Sequence, residues 1–190
     1  MSIAYPLTLP SHTGMASIGF RMVNTTALSE SPFTGVQQVQ GYPRQRWEVD
    51  VTLPPLKHAN ALIWISFLAS LRGRFGSFRL GDPMATSPQG TATSATITGA
   101  AGSASVTVTM TGTLLAGDYI QIGTGLHRVL VNKTGSGTLE IWPLLRTTVS
   151  SVAAVLTNPV GVFRLMTDDQ SWNVNSASIY GVSFSAMEAF

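Results

Sequence analysis

The chain contains no cysteine. Disulfides, thiolate metal sites and cysteine nucleophiles are therefore excluded, and the fold rests on packing and hydrogen bonding. Charge is also scarce. Asp, Glu, Lys and Arg make up 11% of the 190 residues, against roughly 25% in an ordinary soluble domain. Lys57 and Lys133 are the only lysines, and arginines come singly or in short pairs such as Arg44/Arg46 and Arg72/Arg74. The formal net charge of +2 and the pI near 9.3 reflect a small imbalance among few groups. They do not make the dense basic field that specific nucleic-acid binding needs. The longest apolar stretch, residues 59–71, is too short to span a bilayer and is broken by polar residues, so no membrane anchor is read. Residues 1–6 lack the basic segment and apolar core of a secretory leader.

Chemistry-bearing patterns are missing as well. His12, His58 and His127 fall at no metal-ligand spacing, and no Asp/Glu cluster accompanies them. They read as solvated or capping residues. Asp168 and Asp169 are adjacent, so their carboxylates point apart on a surface turn. Asp118 follows Gly117 and reads as a turn before a strand. There is no Gly-x-Ser-x-Gly elbow and no phosphate-binding glycine loop; Gly123-Thr124-Gly125 reads as a hairpin turn between strands. No catalytic residue, cofactor or metal is assigned, and the chain is read as a non-enzyme.

What is abundant is apolar residues, 44% of the chain. With so little charge, a free monomer would expose much neutral surface, which points to a subunit buried against copies or partners. Residues 46–53 give the clearest strand, with Trp47, Val49, Val51 and Leu53 on one face and Glu48, Asp50 and Thr52 on the other. Residues 16–23, 34–40 and 178–190 are further strand candidates, the last with Ile179, Val182, Phe184 and Met187 as its apolar positions. After Pro54-Pro55, residues 57–71 predict the one helix. Its apolar face is Ala61, Leu62, Ile65, Leu68, Ala69 and Leu71, widened by Trp64 and Phe67, and Gly73 is the expected stop.

A near-repeat organises the chain. Gly76-Ser77-Phe78-Arg79-Leu80-Gly81-Asp82-Pro83 precedes a Thr/Ser/Gly-rich block, and Gly161-Val162-Phe163-Arg164-Leu165 follows it. The simplest inference is a host domain, residues 1–85 plus 160–190, interrupted by an inserted domain, residues 86–159. Five strands are read in the insertion, at 94–98, 105–110, 118–122, 126–131 and 139–141, joined by glycine turns. That pattern fits a small β-barrel of OB type. Trp47, Trp64, Phe67, Phe78 and Phe163 are expected core or interface anchors. Trp142 and Trp172 are candidate contacts for a glycan or a partner.

This order of features resembles the distal tail proteins of long-tailed, siphophage-type bacteriophages, in their short form, and related gene-transfer-agent tail proteins. Similar text includes Tyr42-Pro43-Arg44-Gln45-Arg46-Trp47-Glu48, Leu53-Pro54-Pro55-Leu56 and Leu71-Arg72-Gly73-Arg74-Phe75-Gly76. It also includes Gly117-Asp118-Tyr119-Ile120-Gln121-Ile122 and the closing Gly181-Val182-Ser183-Phe184-Ser185-Ala186-Met187-Glu188, with Glu188 as the family-like final acid. The resemblance implies a mainly β protein with a β-sandwich-type belt domain, one helix and an OB-like barrel insertion. It implies a virion protein of the tail tip, made in the bacterial host cytoplasm, whose homo-hexameric ring joins the tail-tube protein above to the hub or baseplate protein below. The insertion would project outward, where side fibres could dock, and the lumen would pass DNA without reading it. The competing readings are a tail-tube or tail-terminator ring subunit and a carbohydrate-binding module.

Overall fold

The computed structural model describes residues 3–11 and 14–190; His12 lies outside them. The fold is mainly β, with one helix and a closed barrel. In chain order come β1 (Leu7–Thr8), β2 (Ser17–Glu30), β3 (Gln37–Thr52), β4 (Leu56–Lys57), α1 (His58–Leu71) and β5 (Phe78–Leu80). Next are β6 (Ala95–Gly99), β7 (Ser105–Met110), β8 (Thr113–Leu114), β9 (Tyr119–Ile122), β10 (Gly125–Val129), β11 (Lys133–Thr134), β12 (Gly137–Trp142) and β13 (Val149–Val155). β14 (Gly161–Leu165), β15 (Trp172–Val174) and β16 (Ile179–Glu188) come last.

The main sheet has the order β1-β5-β14-β16-β3-β2. The first half of β16 also pairs β4 and β15. The two copies of the near-repeat are direct neighbours: β5 and β14 run antiparallel, with Phe163 opposite Phe78 and Gly161 opposite Leu80. In both copies the Phe and Leu are buried, and Arg79 and Arg164 face the other way. The chain thus leaves the sheet and returns to it on adjacent strands. At that neck Gly81 packs on backbone: a Cβ there would stand 2.2 Å from the Pro159 carbonyl oxygen. Gly81→Ala is expected to cost about 1–3 kcal/mol by overpacking, read as a lower urea midpoint with an unchanged slope. An unchanged midpoint would show that the neck yields freely.

One face of the sheet is buried. Trp47, Val49 and Val51 of β3 line it, as the period of two requires, while Asp50 and Thr52 are exposed. Glu48 is buried against expectation, because Arg46 and Arg21 enclose its carboxylate at 2.7 and 3.1 Å. On β16 the buried positions are Val182, Phe184, Ala186 and Glu188, so Met187 lies on the opposite face and Ile179 is exposed, contrary to the sequence reading.

The helix covers part of this face. Trp64 stacks near Phe184, and Phe67 and Phe184 meet Phe78 edge-on. Its buried residues are Ala61, Trp64, Phe67, Leu68 and Leu71, whereas Leu62 is exposed. All five buried residues belong to the expected face, which was too broad, since Leu62 and Ala69 are exposed and Ile65 is half-buried. Almost every position from 59 to 68 is apolar, so spacing alone does not choose a face; the large aromatics do. Arg72, not Gly73, takes the left-handed cap position (φ 53°), and its N–H bonds the Ala69 carbonyl. Gly73 follows, also left-handed.

Residues 95–155 close a barrel in the order β10-β12-β7-β6-β13-β9. It has six strands, not five. The missed strand, β13, contains Ser151 at φ 51° and shifts register between Val149 and Val152, which erases the alternation a sequence shows. The low-complexity text is ordinary strand: Ala95, Ile97, Val106, Val108 and Met110 point inward between exposed Thr and Ser. Asp118 is buried in its turn, where its two carboxylate oxygens accept the N–H groups of Gln89 and Leu115 at 2.8 Å.

His127 is a correction. It is neither solvated nor a cap, but 1% exposed on β10, with Nδ1–H donating to the Pro143 carbonyl at 2.9 Å. Burial holds its pKa down at about 4. An unfolded imidazole takes its proton near 6.5, so the folded state falls behind as pH drops from there and the loss levels off below about 4. The contribution is roughly 3 kcal/mol. Urea unfolding at pH 7 and pH 4 should show His127→Asn losing less stability on acidification than the parent by about that amount. Equal losses would mean that His127 does not resist protonation.

Candidate assembly interface

β2 and β3 are far longer than the strands read from the sequence, and they run out beyond the sheet as a two-stranded arm. From Thr25 opposite Tyr42 to Glu30 opposite Gln37, every residue on both strands is exposed. At strand rise this is about 20 Å of free ribbon. The tip closes through Ser31, whose carbonyl accepts from Gly35 and whose N–H donates to Val36; Gly35 sits at φ 67°. The arm is nearly uncharged where a solvent-facing ribbon would be charged, and it exposes several apolar side chains among uncharged polar ones. Leu28 is 61% exposed, Phe33 95%, Val36 66% and Val39 65%. Leu28 lies opposite Val39 and Glu30 opposite Gln37, on one face. Glu30 is the only charge between residues 24 and 42. An isolated hairpin is marginal in water, and open strand edges invite pairing.

The arm leaves the sheet at a bulge. Register shifts between Val23 opposite Arg46 and Thr25 opposite Tyr42, so Asn24 faces Pro43, Arg44 and Gln45. Pro43 has no N–H to give the ladder. Groups freed at the bulge instead hold the end of β12 and the loop after it. Trp142 Nε1 donates to Asn24 Oδ1 at 2.8 Å, the Leu144 N–H donates to Gln45 Oε1 at 3.0 Å, and Arg146 donates to the Gln45 carbonyl. The neighbouring Trp47 joins the two parts a second time, through Nε1 to the Leu126 carbonyl at 2.8 Å. Its ring meets Trp142 edge-on at 4.5 Å and also lies against Phe20 and Tyr119.

Beside this root is a cleft of about 610 Å³ walled by Arg44, Arg46, Arg146, Arg164 and Glu188, with Phe190 at its rim. Glu188 accepts from the Trp47 N–H and from Arg146, both at 3.2 Å. Burial pushes its carboxyl pKa upward, opposed by the Arg146 charge and these hydrogen bonds. Phe190 stacks on Arg146, 4.1 Å from guanidinium carbon to ring centre. A second cleft, apolar and about 680 Å³, lies between β1 and α1, lined by Leu7, Leu9, Leu62, Ile63 and Phe67.

Trp47, Trp64, Phe67, Phe78 and Phe163 are all buried in the core of this one chain, with Phe67 also lining the apolar cleft beside α1. Trp142, read as a possible exposed glycan contact, is 7% exposed, because its indole fills the space beside Trp47. Trp172 is 45% exposed on β15. The sequence reading missed the arm and the arginine cleft. The arm's signal was present as two β-prone runs flanking Ser31-Pro32-Phe33-Thr34-Gly35, but its residues do not alternate in polarity, since neither face packs on a core. Among the described residues no group of three or more His, Asp and Glu side chains could hold a metal ion, and no helix is long and apolar enough to cross a membrane. No protein-family model matches the chain, and no curated protein matches it.

Proposed function

We propose that this is a ring-forming structural protein of a bacteriophage tail, in the manner of the siphophage distal tail proteins it resembles. The observation that carries the reading is the nearly uncharged arm, a ribbon open on both faces whose exposed Leu28, Phe33, Val36 and Val39 gain by being covered in an assembly. The sparse charge of the whole chain supports it. So does a barrel set between paired strands of the sheet, which leaves a compact OB-like body free to project from a ring. In this reading the sheet and helix form a hexameric belt, the tail tube docks on one side of the ring and the hub or baseplate on the other, and the barrel faces outward. The protein is a virion component and carries out no catalysis. Negative-stain imaging of the purified chain over a range of concentrations tests this. Sixfold rings with an open centre and peripheral knobs are expected; a chain that stays monomeric at every concentration would refute the reading.

A further inference from the structure

The arginine cleft carries more positive charge than the protein supplies partners for. Four arginines line it against one side-chain carboxylate, Glu188, which Arg146 already holds. Arg46 is matched by Glu48. Among the described residues, no carboxylate lies within 4.0 Å of Arg44 or Arg164. Among the described residues, Arg164 donates to the Arg74 and Phe75 carbonyls alone, at 3.3 and 3.2 Å. The cleft also has apolar walls in Pro43, Met187 and Phe190. It therefore suits a carboxylate carried beside apolar side chains, in a space too large for a lone ion.

The arm tip has that chemistry. Glu30 is its single charge, it sits on the face that carries Leu28 and Val39, and among the described residues the Gln37 amide alone hydrogen-bonds its carboxylate, at 3.0 Å. The same molecule cannot join the two. The cleft lies at the root of the arm and Glu30 at its far end, about 20 Å along a paired ribbon. We propose that the cleft receives the arm tip of a second copy of this chain, with the Glu30 carboxylate between Arg44 and Arg164. Each copy then offers one arm and one cleft on different surfaces. Such a heterologous contact propagates head to tail and closes into a ring or runs on as a filament. The inference rests on the ring reading and names the contact that builds it.

The test is charge reversal in the full chain. Arg44 and Glu30 are both exposed, so Glu30→Arg and Arg44→Glu leave the fold intact, which circular dichroism checks. By sedimentation velocity each variant should associate at least tenfold more weakly than the parent, and parent association should weaken with added salt. The chain carrying both reversals should recover most of the loss. Rings that form equally well with Glu30→Arg would overturn this contact and leave the ring reading standing. Open, salt-sensitive chains that depend on Glu30 would support the contact and remove the ring. Association lost in Phe33→Ala but not in Glu30→Arg would overturn the proposal and place the tip in the apolar cleft beside α1. A strict monomer would overturn both.

Discussion

Trp47→Ala is expected to destabilise the protein by about 3–5 kcal/mol, in the range for emptying a large aromatic from a packed core. The site is worse than an ordinary cavity. Trp47 is 1% exposed and touches Phe20, Tyr119 and Trp142 at once. Its indole N–H also satisfies the Leu126 carbonyl on the barrel, so alanine removes a link between sheet and barrel as well as volume. Trp47→Phe separates the two effects. It keeps much of the packing and gives up the hydrogen bond, leaving a buried carbonyl without that donor, at a cost of roughly 1–3 kcal/mol. Urea unfolding followed by far-ultraviolet circular dichroism reads both. If alanine costs no more than phenylalanine, Trp47 holds the junction only by its hydrogen bond, and the packing account is wrong.

The second large effect falls on assembly rather than on folding. Thr26 and Gly41 are cross-strand partners, so residues 27–40 can be replaced by Asn-Gly, which closes a two-residue hairpin loop. All the deleted residues except Ser31 are exposed, and Ser31 sits in the tip turn. The shortened chain should therefore fold with a Tm within a few degrees of the parent, since surface changes away from packed features move stability by about 0.5 kcal/mol. Its self-association should fall at least a hundredfold, the equivalent of about 3 kcal/mol at the interface. Sedimentation over a concentration series measures this. A shortened chain that assembles like the parent would show that the arm is not the contact.

Much of the fold could be read from the sequence because its signals are local. The alternation from Trp47 to Leu53 predicts a half-buried strand, and the paired Phe-Arg-Leu copies predict where the barrel is inserted. That the copies are adjacent strands follows from the geometry of an insertion, whose ends must lie close together. What could not be read has physical reasons. The helix face was ambiguous because nearly all of its residues are apolar, and β13 was hidden by a left-handed serine. The burial of His127 depends on a carbonyl sixteen residues away. The arginine cleft gathers residues from β3, β14, β16 and the loop after β12, which no local pattern joins. The arm was missed, with only residues 34–40 of it read as strand, because an uncovered hairpin lacks the alternation that a core imposes.

The central claim is that the arm lies open in the monomer and covered in the assembly. Amide hydrogen exchange of residues 25–42, compared between dilute and concentrated protein, measures this directly. In the monomer these amides should exchange close to the rate of a frayed hairpin, and in the assembled fraction they should be protected by at least a hundredfold, while residues 46–52 are protected in both. Assembled protein whose arm amides still exchange at the monomer rate would contradict the account.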